Sequence, residues 1–265
     1  MTKHRDHAAP DPTPPSPADP ELTAVILTYN ESAHIEACIS SLRWADRILV
    51  FDRFSDDNTV ELSTVAGAEV SQETFQDFAQ QRNAALDSLE TEWVFFVDAD
   101  ERGSPELARE IRELIRVCPE AGWYVPRHNY IFERLTLGAG WYPDYQLRLF
   151  RHGRVRYERP VHEVAIVDGE VGHLQNTLVH LNYRDPAHFH EKQRSYTKYD
   201  ATVLYEQGTQ PNFYTPYTQP VRQFVWRFLR LKGYQDGFHG LRLSLYMAYY
   251  EWQKYRHLAR LQRND

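Results

Sequence analysis

Trp93-Val94-Phe95-Phe96-Val97-Asp98-Ala99-Asp100-Glu101 is the stretch that decides the fold. Five consecutive apolar residues stopped by an acid predict a strand buried on both faces, because a sheet with one wet face would alternate. Such strands belong to parallel sheets covered by helices on both sides. Two more segments upstream have the same texture. Leu22 to Leu27 runs into Thr28-Tyr29-Asn30-Glu31, and Arg47 to Phe51 is stopped by Asp52. Between them Ile35, Cys38, Ile39 and Leu42 fall at helical spacing. Asp56-Asp57-Asn58-Thr59 offers caps for a helix ending near Gly67, Ala68 to Val70 is a short strand, and Phe78 to Leu89 is helical. Ser104-Pro105 pairs an N-cap with a first-turn proline and opens a helix to about Val117. The alternation predicts an α/β fold with a mostly parallel central sheet. Ligands in such sheets bind beyond the carboxyl ends of the strands. Three strands here end in polar sets at that edge, which favours a ligand site over simple strand termination.

Composition narrows the classes. The 265 residues are 42% hydrophobic and 25% charged, ordinary for a globular chain with a proper core. No apolar run approaches the roughly 18 residues of a spanning helix, which excludes a polytopic membrane protein. Two cysteines, Cys38 and Cys118, stand in no CxxC or Cys/His cluster, so a disulfide or zinc scaffold is not expected and a reducing cytoplasm fits. A net charge of -7 argues against nucleic acid as a partner. The charge is uneven: Pro220 to Asp265 holds nine Lys/Arg against three Asp/Glu, so +6, leaving -13 for the rest. Residues 1–20 contain six prolines and almost nothing apolar, and are expected to be a disordered leader without a signal-peptide core. After Gly122 the pattern becomes β-rich, with strands expected at 123–125, 145–150, 155–157, 161–167 and 178–183. From about Asp185 it is largely helical.

The chemistry concentrates at Asp98-Ala99-Asp100-Glu101. Two carboxylates one residue apart at a strand end can hold a hard divalent cation in an open, partly hydrated site. Such a cation neutralises a diphosphate leaving group as charge develops on it. Asp52 can accept from a uracil N–H or a ribose hydroxyl, or it can cap the following turn. Arg82, beside Asn83, can meet nucleotide phosphates, or lie on a solvated helix face.

Thr28-Tyr29-Asn30-Glu31, Asp52 with Ser55-Asp56-Asp57-Asn58-Thr59, Gln81-Arg82-Asn83 and Asp98-Ala99-Asp100-Glu101, in this order, resemble an inverting family 2 glycosyltransferase with the GT-A fold. Trp141 to Phe150, Val161-His162-Glu163 and His180-Leu181-Asn182-Tyr183 resemble the bacterial branch that includes the WaaE-type lipopolysaccharide core β-glucosyltransferases. The resemblance runs from about Thr23 to about Tyr255. It implies a nucleotide-sugar donor and a divalent cation, Mg2+ or Mn2+. Thr28, Asn30, Glu31, Asp52, Arg82 and Asp98 would meet the donor, with Asp52 at uracil and Asp98 near the ribose. Asp100 would be the direct metal ligand. His180 is a further metal or diphosphate ligand, or a hydrogen-bonded structural histidine. Family members usually carry a small residue and Gly after the acid at position 52; Arg53-Phe54 stand there instead.

Inversion needs a carboxylate base near the acceptor hydroxyl. Glu163 is placed ahead of Asp144, which lies in an aromatic loop; a structural alternative pairs Glu163 with Arg159 or Arg148. The expected organisation is a leader at 1–20, a catalytic domain at 21–184 with a nucleotide half at 21–120 and an acceptor half at 121–184, and a helical extension at 185–265. In that extension Val221, Phe224, Val225, Phe228 and Leu229 line one face, while Arg222, Arg230 and Lys232 lie towards the other. Such a segment can lie on an anionic membrane surface or pack on the catalytic domain. The expected enzyme is cytoplasmic, peripheral on the inner membrane if the tail docks, and glycosylates a lipid-linked or envelope glycan. Two rivals are a nucleotidyltransferase, disfavoured because residues 22–31 contain no glycine for a phosphate loop, and an inactive nucleotide-sugar-binding scaffold. An NAD-binding Rossmann enzyme is disfavoured because no GxGxxG follows the first strand.

Overall fold

The computed structural model describes residues 20–159 and 164–263. Strands β1 (Leu22–Thr28), β2 (Arg47–Asp52), β3 (Glu69–Gln72) and β4 (Trp93–Asp98) pair in parallel in the order β3-β2-β1-β4. Helices α1 (Ile35–Ser41), α2 (Thr59–Val65) and α3 (Phe78–Asp87) connect them. The continuous apolar run of β4 is explained by its two neighbours and two faces. Phe95 and Val97 join a core with Ala24, Ile35 and Ile39, whereas Val94 and Phe96 join another with Val25, Ala85 and Leu86. All five residues from Trp93 to Val97 are fully buried. At about 1.5–3 kcal/mol per large apolar side chain, neither face could be left wet.

Beyond Asp98 come β5 (Glu101–Gly103) and α4 (Pro105–Leu114), then β6 (Gly122–Ile131), β7 (Arg134–Thr136), β8 (Asp144–Arg151), β9 (Val155–Glu158), β10 (Val164–Val167), β11 (Val171–His173) and β12 (Leu178–Tyr183). The Ser104 hydroxyl accepts from the Leu107 N–H at 3.1 Å, with Pro105 in the first turn, as the sequence predicts for α4. The sheet continues from β4 through β8, β6 and β12 to β5; β8 runs antiparallel to β4, and β5 antiparallel to β12. β9 and β10 form a separate antiparallel pair.

Strands β5, β7 and β11 escape the sequence pattern, and β6 is far longer than expected. β6 outruns its expected span because the polar residues Arg127 and Asn129 interrupt its apolar run, Asn129 being buried, whereas β5, β7 and β11 are only three residues long.

The chain forms two compact units. One comprises the described residues up to Arg127 together with Tyr145–His180; the other comprises His128–Asp144 and the described residues from Leu181 onward. The division therefore passes through β6 and β12, not through the connection after residue 184. Segment 128–144 is hydrogen-bonded to the C-terminal part. The Phe132 N–H donates to the Tyr183 carbonyl at 2.7 Å, Ala139 N–H to the Leu231 carbonyl at 2.8 Å, and Gly138 N–H to Asp236 Oδ2 at 2.7 Å.

The second unit contains α5 (Pro186–Glu206), α6 (Thr215–Val225), a π-helical turn at Trp226–Arg230, a 3-10 turn at Gly233–Asp236, and α7 (Gly237–Leu261). Its core is Ile131, Tyr183, Phe189, Leu243 and Tyr250. No residue of α6 is buried, and Tyr214, Tyr217, Val221, Val225 and Leu229 are exposed at helical spacing. Phe224 and Phe228 are half-buried and stacked on each other at 5.5 Å. Among the described residues, no helix is long and apolar enough to cross a membrane.

Candidate active site

Register puts the three polar strand ends side by side: Thr28 lies opposite Asp52, and Leu27 opposite Asp98. The loops after β1 and β2 are then laced together. Asn30 takes a left-handed conformation, φ 57°, which an asparagine tolerates. Its N–H donates to Ser55 Oγ at 2.8 Å, and its Oδ1 accepts from the Asp56 N–H at 2.8 Å. The Glu31 N–H donates to Thr59 Oγ1 at 2.8 Å, and the Ser32 N–H to Asp57 at 3.1 Å.

Asp52 is fully buried and accepts four hydrogen bonds, from Thr28 Oγ1 (2.9 Å), Ser55 N–H (2.8 Å), Ser55 Oγ (2.5 Å) and Gln72 Nε2 (3.1 Å). A carboxylate has about four acceptor positions, so a nucleotide would have to share one. Of the two roles open to Asp52, organising the turn is the one these contacts display. Next to it the Arg53 guanidinium lies over the rings of Phe75 (4.2 Å) and Tyr29 (4.6 Å).

Asp98 sits in a network of two acids and three arginines. Arg148 grips both carboxylate oxygens of Asp98 and reaches Glu101 Oε1 at 3.1 Å, and Arg127 reaches the same Glu101 oxygen at 3.0 Å. The other Glu101 oxygen accepts the Asp98 N–H at 2.9 Å. Arg82 approaches Asp98 at 3.9 Å, and its guanidinium stands 5.3 Å from the rings of Phe96 and Tyr157, so it is not on a solvated face. Desolvation opposes ionisation of Asp98, but Arg148, then Arg82, outweigh it and hold the carboxyl far below the usual carboxylate range. Burial alone would lower the Arg148 guanidinium; Asp98 and Glu101 reverse that and push it up. Cys38, buried behind this edge, is pushed up by its burial and is no nucleophile.

Antiparallel pairing of β5 with β12 places His180 opposite Glu101 and brings its Nε2 to 3.5 Å from Asp100 Oδ2. A hard carboxylate oxygen and an imidazole nitrogen suit a divalent cation whose remaining positions go to diphosphate oxygens and water. Asp98 cannot join them easily, since Arg148 occupies its oxygens. Among the described residues, no group of three or more His, Cys, Asp or Glu is arranged to hold a metal by itself. The donor set therefore fits a cation held jointly with substrate.

Asp144 belongs to the second unit. Its Oδ2 accepts from Asn129 Nδ2 at 3.0 Å; that amide also donates to the Trp141 carbonyl at 2.9 Å, and Asn182 donates to Asn129 Oδ1 at 2.9 Å. Glu163 lies outside the described residues. Arg148, named above as a partner for it, is engaged by Asp98 and Glu101. Arg127 and Gln72 were not anticipated, nor was the buried end of Glu101. The available signal was an arginine between two leucines at Leu147-Arg148-Leu149: a charge inside a strand needs buried acids.

The glycosyl transferase family 2 model matches residues 23–159. The lipopolysaccharide core biosynthesis glycosyltransferase LpsC of Rhizobium meliloti is 30% identical over 236 residues, covering 83% of this chain and 84% of LpsC. Glycosyltransferase SunS of Bacillus subtilis is 32% identical over 149 residues, 54% of this chain and 34% of SunS. Among solved structures, glucosyl-3-phosphoglycerate synthase from Mycobacterium tuberculosis in complex with phosphoglyceric acid superposes with a TM-score of 0.50 at 15% identity. The match covers 73% of this chain and 82% of the synthase.

Proposed function

The chain belongs to glycosyl transferase family 2, and on that premise we propose that it transfers a sugar with inversion from a UDP-linked donor to a lipid-linked or cell-envelope glycan. The observation that carries this is the strand-end pair of Asp100 and His180, set beside an Asp98 already neutralised by arginine. With both oxygens of Asp98 held by Arg148, Asp100, beside His180, is the carboxylate assigned to the cation. A bound Mg2+ or Mn2+ would offset the charge that develops on the departing diphosphate. Thr28, Asn30, Glu31 and Asp52 shape the nucleotide side through their laced loops, and Arg82 lies close enough to add positive charge there. The envelope acceptor is supported by the similarity to LpsC over most of both chains.

In the proposed step a carboxylate accepts the proton of the acceptor hydroxyl. The oxygen bonds to the anomeric carbon, and the nucleoside diphosphate leaves with the electron pair of the broken bond. Glu163 is the proposed base, and Asp144, oriented by Asn129, the second candidate. General-base catalysis is worth about 10²- to 10⁴-fold. Glu163→Gln should lower turnover by that order while donor affinity holds, measured on an acceptor extract with a panel of nucleotide sugars. If Glu163→Gln stays active and Asp144→Asn does not, the base is Asp144.

The exposed apolar face of α6, with Arg222 and Arg230 also exposed, supports docking on an anionic membrane surface, which would bring the enzyme to a lipid-borne acceptor.

A further inference from the structure

Helices α5 and α7 pack together within the second unit and line a cleft of about 540 Å³. Arg194 and Lys198 enter it from α5 and Arg256 and Arg260 from α7, with His190 and His257 beside them. Each cationic pair is spaced i,i+4, so like charges share a helix face, an arrangement that costs helix stability. Among the described residues that line the cleft, none is acidic, so the wall supplies no compensating charge. The His257 imidazole registers the resulting field: burial first, then Arg260, Lys198 and Arg256, push it below its ordinary value. The floor is built. Tyr250 is buried, its hydroxyl lies 2.9 Å from His190 Nδ1 and donates to the His190 carbonyl at 3.2 Å. The Arg256 guanidinium is braced over the Trp252 ring at 4.6 Å.

We propose that this cleft binds a phosphomonoester or diphosphate group carried on a sugar or a lipid headgroup. Four permanent positive charges call for a ligand with at least two negative ones, which a single carboxylate lacks. Guanidinium forks match phosphate oxygens two at a time. The volume exceeds what a bare phosphate needs and leaves room for the group that carries it, with the exposed Tyr249 ring as a surface for a sugar face. The site stands on α5 and α7 alone. Only its assignment to the acceptor substrate rests on the transferase function proposed above.

Calorimetry of the full chain with inorganic pyrophosphate, in chelator so that no metal-dependent diphosphate site competes, tests the proposal. Wild type and Asp100→Ala should bind equally, and Arg194→Gln/Arg256→Gln/Arg260→Gln should bind at least about 100-fold more weakly, given roughly tenfold for each lost charge-assisted contact. The triple variant should melt at or above wild type, because the three side chains are exposed and their like-charge repulsion is relieved, and should keep any Mn2+-dependent UDP affinity. Failure of Mn2+ to raise UDP affinity in either protein would count against the transferase function and leave the cleft result standing. Competition by glucose 1-phosphate identifies a soluble phosphosugar as the ligand. Cleft-dependent flotation with phosphatidic acid vesicles, but not with phosphatidylglycerol vesicles of equal charge, identifies a lipid phosphomonoester. Pyrophosphate binding that survives the triple substitution, or no binding to wild type at millimolar concentration, overturns the proposal.

Discussion

Arg148 shows how a single residue sets the electrostatics of the strand-end edge. It is 5% exposed, holds Asp98 and touches a Glu101 with no exposed surface. Losing Arg148 leaves Arg127 on Glu101 and only the more distant Arg82 on Asp98, so the acids are partly uncompensated, at about 3 kcal/mol, the lower end for breaking a buried pair. Arg148→Ala should lower unfolding free energy by that amount in urea titrations, and adding Glu101→Gln should restore part of it; a loss below about 1 kcal/mol would show that water reaches the network. Asp57 sets a second expectation. Desolvation raises its carboxyl, but hydrogen bonds from Thr59 and Ser32 prevail and hold it at about 2, below the ordinary 3.8. A depressed folded value means that the stabilisation is present above the ordinary carboxylate range and is lost as pH falls through about 2. The stability difference between wild type and Asp57→Asn should therefore shrink between about pH 4 and pH 2. A difference constant across that window would contradict the assignment. At this scale the sequence exposed the acids well, because Asp52, Asp98 and Asp100 each follow an apolar strand. It hid their partners. Arg127 and Arg148 sit inside strands far along the chain, and only pairing through β8, β6 and β12 brings them to Asp98 and Glu101.

The parallel strands were legible as elements because burial on both faces leaves an unbroken apolar run, as in β4. The edge pieces β5, β7 and β11 are three residues long and carry no such run. Yet β5 matters most for the site, since its pairing with β12 carries His180 to Asp100. Sequence spacing alone could nominate His180 but could not give it a neighbour 80 residues away. Helix α6 poses the opposite case: its apolar spacing was legible, and its lack of any buried residue was not. Val221 is 63% exposed and Leu229 56%, whereas Phe224 and Phe228 turn partly inward. The protein should sediment with anionic vesicles, through basic residues worth about 1 kcal/mol each near the surface and an apolar part that salt does not screen. High salt should reduce binding without abolishing it, and charge reversal at Arg222, Arg230 and Lys232 together should release the protein. Sedimentation equal to that with neutral vesicles would remove the membrane from the account.

At the scale of the whole molecule, the proposed function assigns donor chemistry to an acidic body and contact with an anionic partner to a +6 C-terminal segment. The GT-A type of sheet, supported by the family match and the synthase superposition, aligns three strand ends into one edge. Arg53-Phe54 follow Asp52 and do not enter the Asp100–His180 pair, so in the proposed function they would alter the surroundings of the nucleotide base and not the cation site. In the proposed mechanism Asp100 joins a divalent cation to the diphosphate of the donor. Isothermal titration of UDP into wild type and Asp100→Ala, each with Mn2+ and with excess chelator, tests it most directly. Asp100 is only partly buried and belongs to no apolar core cluster, so the variant should melt close to wild type. Mn2+ should raise UDP affinity in wild type and not in Asp100→Ala, above any metal-independent binding at the basic cleft. Binding of equal strength to Asp100→Ala, or to wild type in chelator, would contradict that mechanism.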